Sequence, residues 1–291
     1  MSHLRRIWLG MRTRNEWSRA GTDSPIELVV NQNGQDVVSV TFPPTPQADQ
    51  EIGQANLYAH ALGDANFDPN QLGIASIRVG IRGHDLWQPE HVMVWYEPQV
   101  GPVVPLAIET DMDVRLSTDA DEGVSSTAIR QVASGKPDTP IERLLMLMTT
   151  GRSGAPSTVT ARSNTVLDLR PGPGTDSPIQ LQIVRQGSLI LQYDIPDTPQ
   201  RDQENRQANV YLFPVPAAFT RESLQNDAIT LSIKGADAWL PSTFFLFGVA
   251  PRTGRPTHLV PLVHISHRQL GWLSTDPEEG KETVNLPLTP I

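Results

Sequence analysis

Asp64, Asn66, Asp68 and Asn70 in "DANFDPN" place oxygen-bearing side chains at alternate positions, the spacing with which a calcium loop presents its first ligands. A complete loop of that kind has glycine sixth and glutamate twelfth, and here those places hold Pro69 and Ala75. The competing reading makes Asp68 the N-cap of a short helical turn, with Pro69 first and Gln71 three residues on. His264 and His267 have H-x-x-H spacing, but they sit in a strand-like stretch, "LVHISHRQL", where residues three apart face opposite sides. The acidic runs "TDADEG" and "TDPEEG" are candidate cation sites, and read more simply as solvated hairpin tips whose glycine takes a positive φ. The chain has no cysteine, which removes thiolate nucleophiles, disulfides and cysteine-based metal sites. G-x-S-x-G, H-E-x-x-H and a glycine-rich phosphate loop are all missing as well. These residues give no positive case for an enzyme.

The elements that would position such groups come in two copies. "GTDSPI" occurs at 21–26 and again at 174–179. Further blocks follow in the same order: Gln54-Ala55-Asn56 with Gln207-Ala208-Asn209, "IRVGIRGHDLWQP" with "ITLSIKGADAWLP", and "LSTDADEG" with "LSTDPEEG". The openings correspond too, "RIWLGMRT" from Arg6 with "RLLMLMTT" from Arg143, after which the second copy has a longer Gly/Ser/Pro-rich loop, 151–173. Trp87 and Trp239 recur and are expected in the cores.

"IELVV", "IQLQIV", "IRVGI" and "ITLSI" alternate apolar and other residues, while "HVMVWY" and "TFFLFG" are short aromatic and β-branched runs bounded by Pro or Gly. The expected fold is all-β: two tandem antiparallel β-sandwiches, each with one short helical turn ("FDPNQL", "FTRESL"). The expected boundaries are 1–132 and 140–291, with 133–139 as linker. Seven flexible residues reach roughly 14 Å, which keeps the sandwiches side by side with a groove between them. Residues 1–132 carry nine arginines and no lysine against seventeen carboxylates, a net of −8 out of −9 for the whole chain. Such a surface repels phosphate backbones, so nucleic acid is not an expected partner.

The GTD turn, the alternating strand after it, the Asp/Glu-rich approach to an aromatic strand, "GHDLW", "GADAW" and the closing "WLSTD" together resemble PLAT domains, also called lipoxygenase homology domains. The resemblance implies non-catalytic β-sandwich modules that bind membranes, other proteins, or calcium through loop carboxylates at one end. The calcium ligands it suggests are Asp23 and Asp85 in the first copy and Asp176 and Asp237 in the second. Two carboxylates per copy fall short of the six to eight oxygens calcium takes. The preferred reading of GTDSP is a tight turn whose Asp and Ser bond local backbone amides.

Two functions stay open. One is a non-catalytic tandem binding or assembly module for a protein partner or larger particle, with Trp17 and its neighbours Arg14 and Arg19, the loop 151–173 and the acidic first copy as contact regions. The other is calcium-dependent attachment to a lipid or membrane surface. Arg12 and Arg14 interrupt the first apolar run and no small-residue cleavage site follows, so no signal peptide is read. Nowhere do 18 apolar residues run together, which excludes a transmembrane helix on pattern. The expected location is cytoplasmic, with export by another route left open.

Overall fold

The computed structural model describes residues 4–15, 20–42, 52–62, 67–73, 75–150, 174–195, 208–250, 257–265 and 270–290. They form strands throughout, without an α-helix among the described residues. The first repeat supplies β1 (Leu4–Thr13), β2 (Ile26–Gln32), β3 (Gln35–Phe42), β4 (Ala55–Ala61), β5 (Ile77–Ile81), β6 (Pro89–Pro98), β7 (Val104–Thr110) and β8 (Ser126–Ala128). A short β9 (Ala133–Ser134) lies between the repeats. The second supplies β10 (Ile141–Thr150), β11 (Ile179–Arg185), β12 (Ser188–Ile195), β13 (Ala208–Phe219), β14 (Ile229–Ile233) and β15 (Ala238–Trp239). It ends with β16 (Pro241–Ala250), β17 (His258–Ile265), β18 (Leu273–Ser274) and β19 (Thr283–Leu286). Single 3₁₀ turns, Pro69–Gln71 and Arg221–Ser223, stand where the two capped turns are expected.

Two four-stranded sheets, β3-β2-β5-β8 and β12-β11-β14-β19, form the outer layers. Their strands alternate in the ordinary half-buried way: Ile26, Leu28 and Val30 point into a core while Glu27, Val29 and Asn31 point out. The hairpins turn at Asn33-Gly34 and Gln186-Gly187, whose positive φ at both positions suits the twist of the flanking strands. The inner strands belong to one nine-stranded sheet, β7-β6-β1-β4-β13-β10-β16-β17-β9. The central strands β1, β6, β10 and β16 are apolar on both faces. On β1, Ile7, Leu9 and Met11 join the first repeat's core, and Trp8 faces the other way; on β10, Leu144, Met146 and Met148 join the second core, and Leu145 and Leu147 face away. Trp8, Met93, Trp95, Leu145, Leu147, Phe245 and Phe247 meet in a third core between the repeats.

That seam fills the space in which the sequence suggested a groove. Trp8 and Trp95 stack with centroids 5.9 Å apart, and Phe245 packs edge-on against both at 5.1 and 5.2 Å. Burial on both faces explains why these strands read as unbroken apolar runs instead of alternating ones. The stretch 133–139 is not a free tether. Just before it, Val132 N donates to Leu106 O and Ile108 N to Arg130 O on the β7 side. Beyond, β9 runs parallel to β17, and Gly135 N donates to Leu259 O. The connecting segment therefore lies between β7 and β17 and curls the nine-stranded sheet back on itself, covering two edges that would otherwise be open. On the far side Ala55 pairs with Ala208.

Candidate functional site

The motifs shared by the repeats converge at one end of each. In the first, Asp85 accepts through Oδ2 from Thr22 Oγ1 and Asp23 N, both at 3.0 Å, and through Oδ1 from Leu86 N. In the second, Asp237 accepts from Asp176 N and Ala238 N. Thr22 Oγ1 and Thr175 Oγ1 cap Ser24 N and Ser177 N. A methyl group on Gly83 would lie 2.1 Å from Ser24 Oγ, and one on Gly235 would lie 2.1 Å from Ser177 Oγ, so both glycines are required by the closeness of that serine. Trp87 Nε1 donates to Thr13 Oγ1 and Trp239 Nε1 to Thr150 Oγ1, and both indoles are fully buried. The structure thus brings Asp23 next to Asp85 and Asp176 next to Asp237, with the second carboxylate of each pair bonded to backbone amides. Among the described residues no three histidine or acidic side chains gather into a metal-holding group.

The acidic turns join the same clusters. Ser117 Oγ accepts from Asp119 N, and Asp119 Oδ1 from Asp121 N; Ser274 and Asp276 repeat the pattern with Asp276 N and Glu278 N. Their glycines do not take the positive φ expected from the sequence. Gly123 and Gly280 are small for another reason: a Cβ would fall 2.4 Å from Arg115 O and 2.5 Å from Trp272 O.

The repeats also differ on the solvent faces of their outer sheets. On the solvent face of β3-β2-β5-β8 a polar trough of about 410 Å³ is lined by Glu27, Asn31, Asp36, Arg78, Arg82 and Ser126, among others. Its floor is low because Gly80 has no side chain, and a Cβ there would crowd Ser125 O at 2.8 Å. Arg82 bonds Glu27, Arg78 bonds Ser126 Oγ, and Asn31 Nδ2 donates to Asp36 Oδ1. The bond to Glu27 and its charge raise the Arg82 guanidinium further above its usual value, so it stays cationic. The second repeat puts an amide ladder on the equivalent face, Gln182 donating to Gln180 and Gln192, and Gln180 to Asp194.

No family model matches the chain, and no curated protein matches it. Among solved structures it is similar to "Alpha Toxin from Clostridium Absonum", with 17% identity and a TM-score of 0.34. The match covers 53% of this chain and 33% of the toxin, so the chain spans about a third of that structure's length.

Of the expected contact residues, Trp17 and Arg19 lie outside the described residues, as do the loop 151–173, Asp64, Asn66 and His267. Arg14 is held within its own repeat, donating to Asp111 Oδ1 at 3.0 Å and Met112 O at 2.5 Å. Asp68 accepts from Gln71 Nε2 at 3.1 Å with its carboxylate and from Gln71 N at 2.9 Å with its carbonyl across the 3₁₀ turn. His264 stacks obliquely on Phe245. The sequence reading missed the trough, whose lining comes from four strands, and it missed a charged group at the seam's rim. There Arg12 Nε lies 3.4 Å from Glu90, and His91 Nδ1 accepts from Asp111 N at 3.4 Å. Burial lowers the His91 pKa; the Glu90 charge opposes this, and Arg12 and Arg143 reinforce it.

Proposed function

We propose that the chain is a non-catalytic binding and assembly module: two antiparallel β-sandwiches of the PLAT kind, joined through their inner sheets, that engage a protein partner by the outer sheet of the first repeat. One observation carries this reading. The side chains common to both repeats are absorbed by the turn clusters and cores, whereas an open polar trough on the first repeat is lined by side chains that the second repeat does not share. A trough holding both Arg78 and Arg82 with Glu27 and Asp36 offers paired donors and acceptors suited to a peptide or protein surface, and the strongly acidic first repeat disfavours nucleic acid. Among the described residues no helix is long and apolar enough to cross a membrane.

The test is co-isolation from the native source with the full chain and with an Asn31→Ala/Arg78→Ala variant, followed by rebinding of the identified partner to both purified proteins. Loss of affinity of tenfold or more in the variant supports the trough; equal binding refutes it. The alternative, calcium-dependent attachment to a lipid surface through Asp23 and Asp85 in the first repeat and Asp176 and Asp237 in the second, predicts vesicle sedimentation that chelation abolishes. Sedimentation indifferent to calcium removes that alternative.

A further inference from the structure

The seam between the repeats has the form of a contact between identical subunits. Counterparts follow from the bonding: Thr13 and Thr150 both receive the buried indole N–H, so Gly10 on β1 corresponds to Leu147 on β10. Trp95 pairs with Trp8 as Phe247 pairs with Leu145, which makes Trp95 and Phe247 counterparts. Ala55 and Ala208 occupy the same place in Gln-Ala-Asn. Each of these residues touches its own counterpart. Ala55 pairs with Ala208, the Trp95 and Phe247 rings lie 5.8 Å apart, and a Cβ on Gly10 would lie 2.4 Å from Leu147 Cδ2. By the strand register they fall on a diagonal across β6, β1 and β4. Residues meet their own equivalents across an interface where they lie beside a two-fold axis.

We infer that the two inner faces dock on each other about a two-fold axis, each repeat's fitting partner being the equivalent face of the other repeat, and that this chain carries both partners, closed on each other. The pair at positions 10 and 147 is where the equality has been broken. Leu147 occupies the volume that a side chain at residue 10 would need, and the Trp95 ring lies 3.3 Å from that same point. Glycine facing glycine would leave a void there, and leucine facing leucine would overfill it. One of each fills it once, so unlike repeats pair better than like ones, and the contact closes within the chain instead of between chains.

Thermal unfolding of full-length variants tests this. Gly10→Ala lowers the melting temperature of the wild-type chain but raises it in a Leu147→Ala background, because the added methyl enters vacated space. The same sign and size of shift in both backgrounds would show that the two positions do not share that space. The two-fold relation is tested by moving the leucine across it: Gly10→Leu/Trp95→Phe/Leu147→Gly should regain at least half of the melting temperature lost by Leu147→Gly alone. A transferred chain no more stable than Leu147→Gly would overturn the inference.

Discussion

Replacing Trp95 with alanine perturbs the seam at its centre. The indole is fully buried, with ring contacts to Trp8, Phe245 and Phe247. An aromatic side chain of this size buries ~150–250 Å², worth about 4–6 kcal/mol at ~25 cal/mol per Å². Compactness of the unfolded chain brings this down to the 3–5 kcal/mol typical of large aromatic truncations, roughly. One component runs the other way. Trp95 Nε1 finds no acceptor among the described residues, and an orphaned buried donor costs about 1–3 kcal/mol that truncation relieves. The net expectation is a loss of about 1–3 kcal/mol, a fall in melting temperature of roughly 2–5 °C at an unfolding entropy of about 0.6 kcal/mol per degree for a chain of this length. Trp95→Phe sheds the orphaned N–H while keeping a ring, and stays within about 1 kcal/mol of wild type. Differential scanning calorimetry with urea titration reads both variants. Because the seam belongs to both repeats, the loss should move one shared endotherm. A shift below about 2 °C for Trp95→Ala, or a split in which the second repeat melts unchanged, would refute the coupling.

His91 provides a pH test. Its folded pKa lies below the unfolded value of about 6.5, so its contribution is complete above that pH and is lost as pH falls towards the folded value. Urea midpoints measured from pH 8 to 5 should fall more steeply for wild type than for His91→Gln; parallel curves would sink this assignment. Gly83→Ala and Gly235→Ala, each driving a methyl onto a serine hydroxyl, should destabilise by similar amounts of about 1–3 kcal/mol, and a neutral result in either would contradict the close approach. Asp85→Ala and Asp237→Ala should each cost about 1–3 kcal/mol with or without added calcium. Wild-type stabilisation by calcium that both variants abolish would instead favour the cation reading.

The turns were legible because they are written twice, but not the groups that hold them: Thr22 and Thr175 make the local caps in place of the expected Asp and Ser, and the anchoring carboxylates, Asp85 and Asp237, lie 62 and 61 residues on from Asp23 and Asp176. A Gly, a small polar pair and a Pro announce a tight turn, and the recurrence of Trp87 and Trp239 marks buried positions that the structure bears out. The seam was legible only as an anomaly. "IWLGM", "HVMVWY", "LLMLM" and "FFLFG" do not alternate, which indicates cover on both faces, but periodicity does not say what provides the cover. Gly123 and Gly280 show a related limit: glycine serves positive φ and close approach equally well, and here the neighbouring carbonyl decides. The trough could not be read at all, since Asn31, Arg78 and Ser126 become neighbours only through the register of β2, β5 and β8.

The nine-stranded sheet curls into two layers about the seam, so three cores separate four layers, and at about 10 Å per layer some 30 Å lie between the two outer sheets. A body seated over the arginines at one end is out of reach of anything held by the glutamine ladder at the other. The two ends therefore cannot grip a single small target together. Under the proposed binding role the two outer sheets would each meet a separate neighbour, and the strand sewn between β7 and β17 ties together the halves that stand between them.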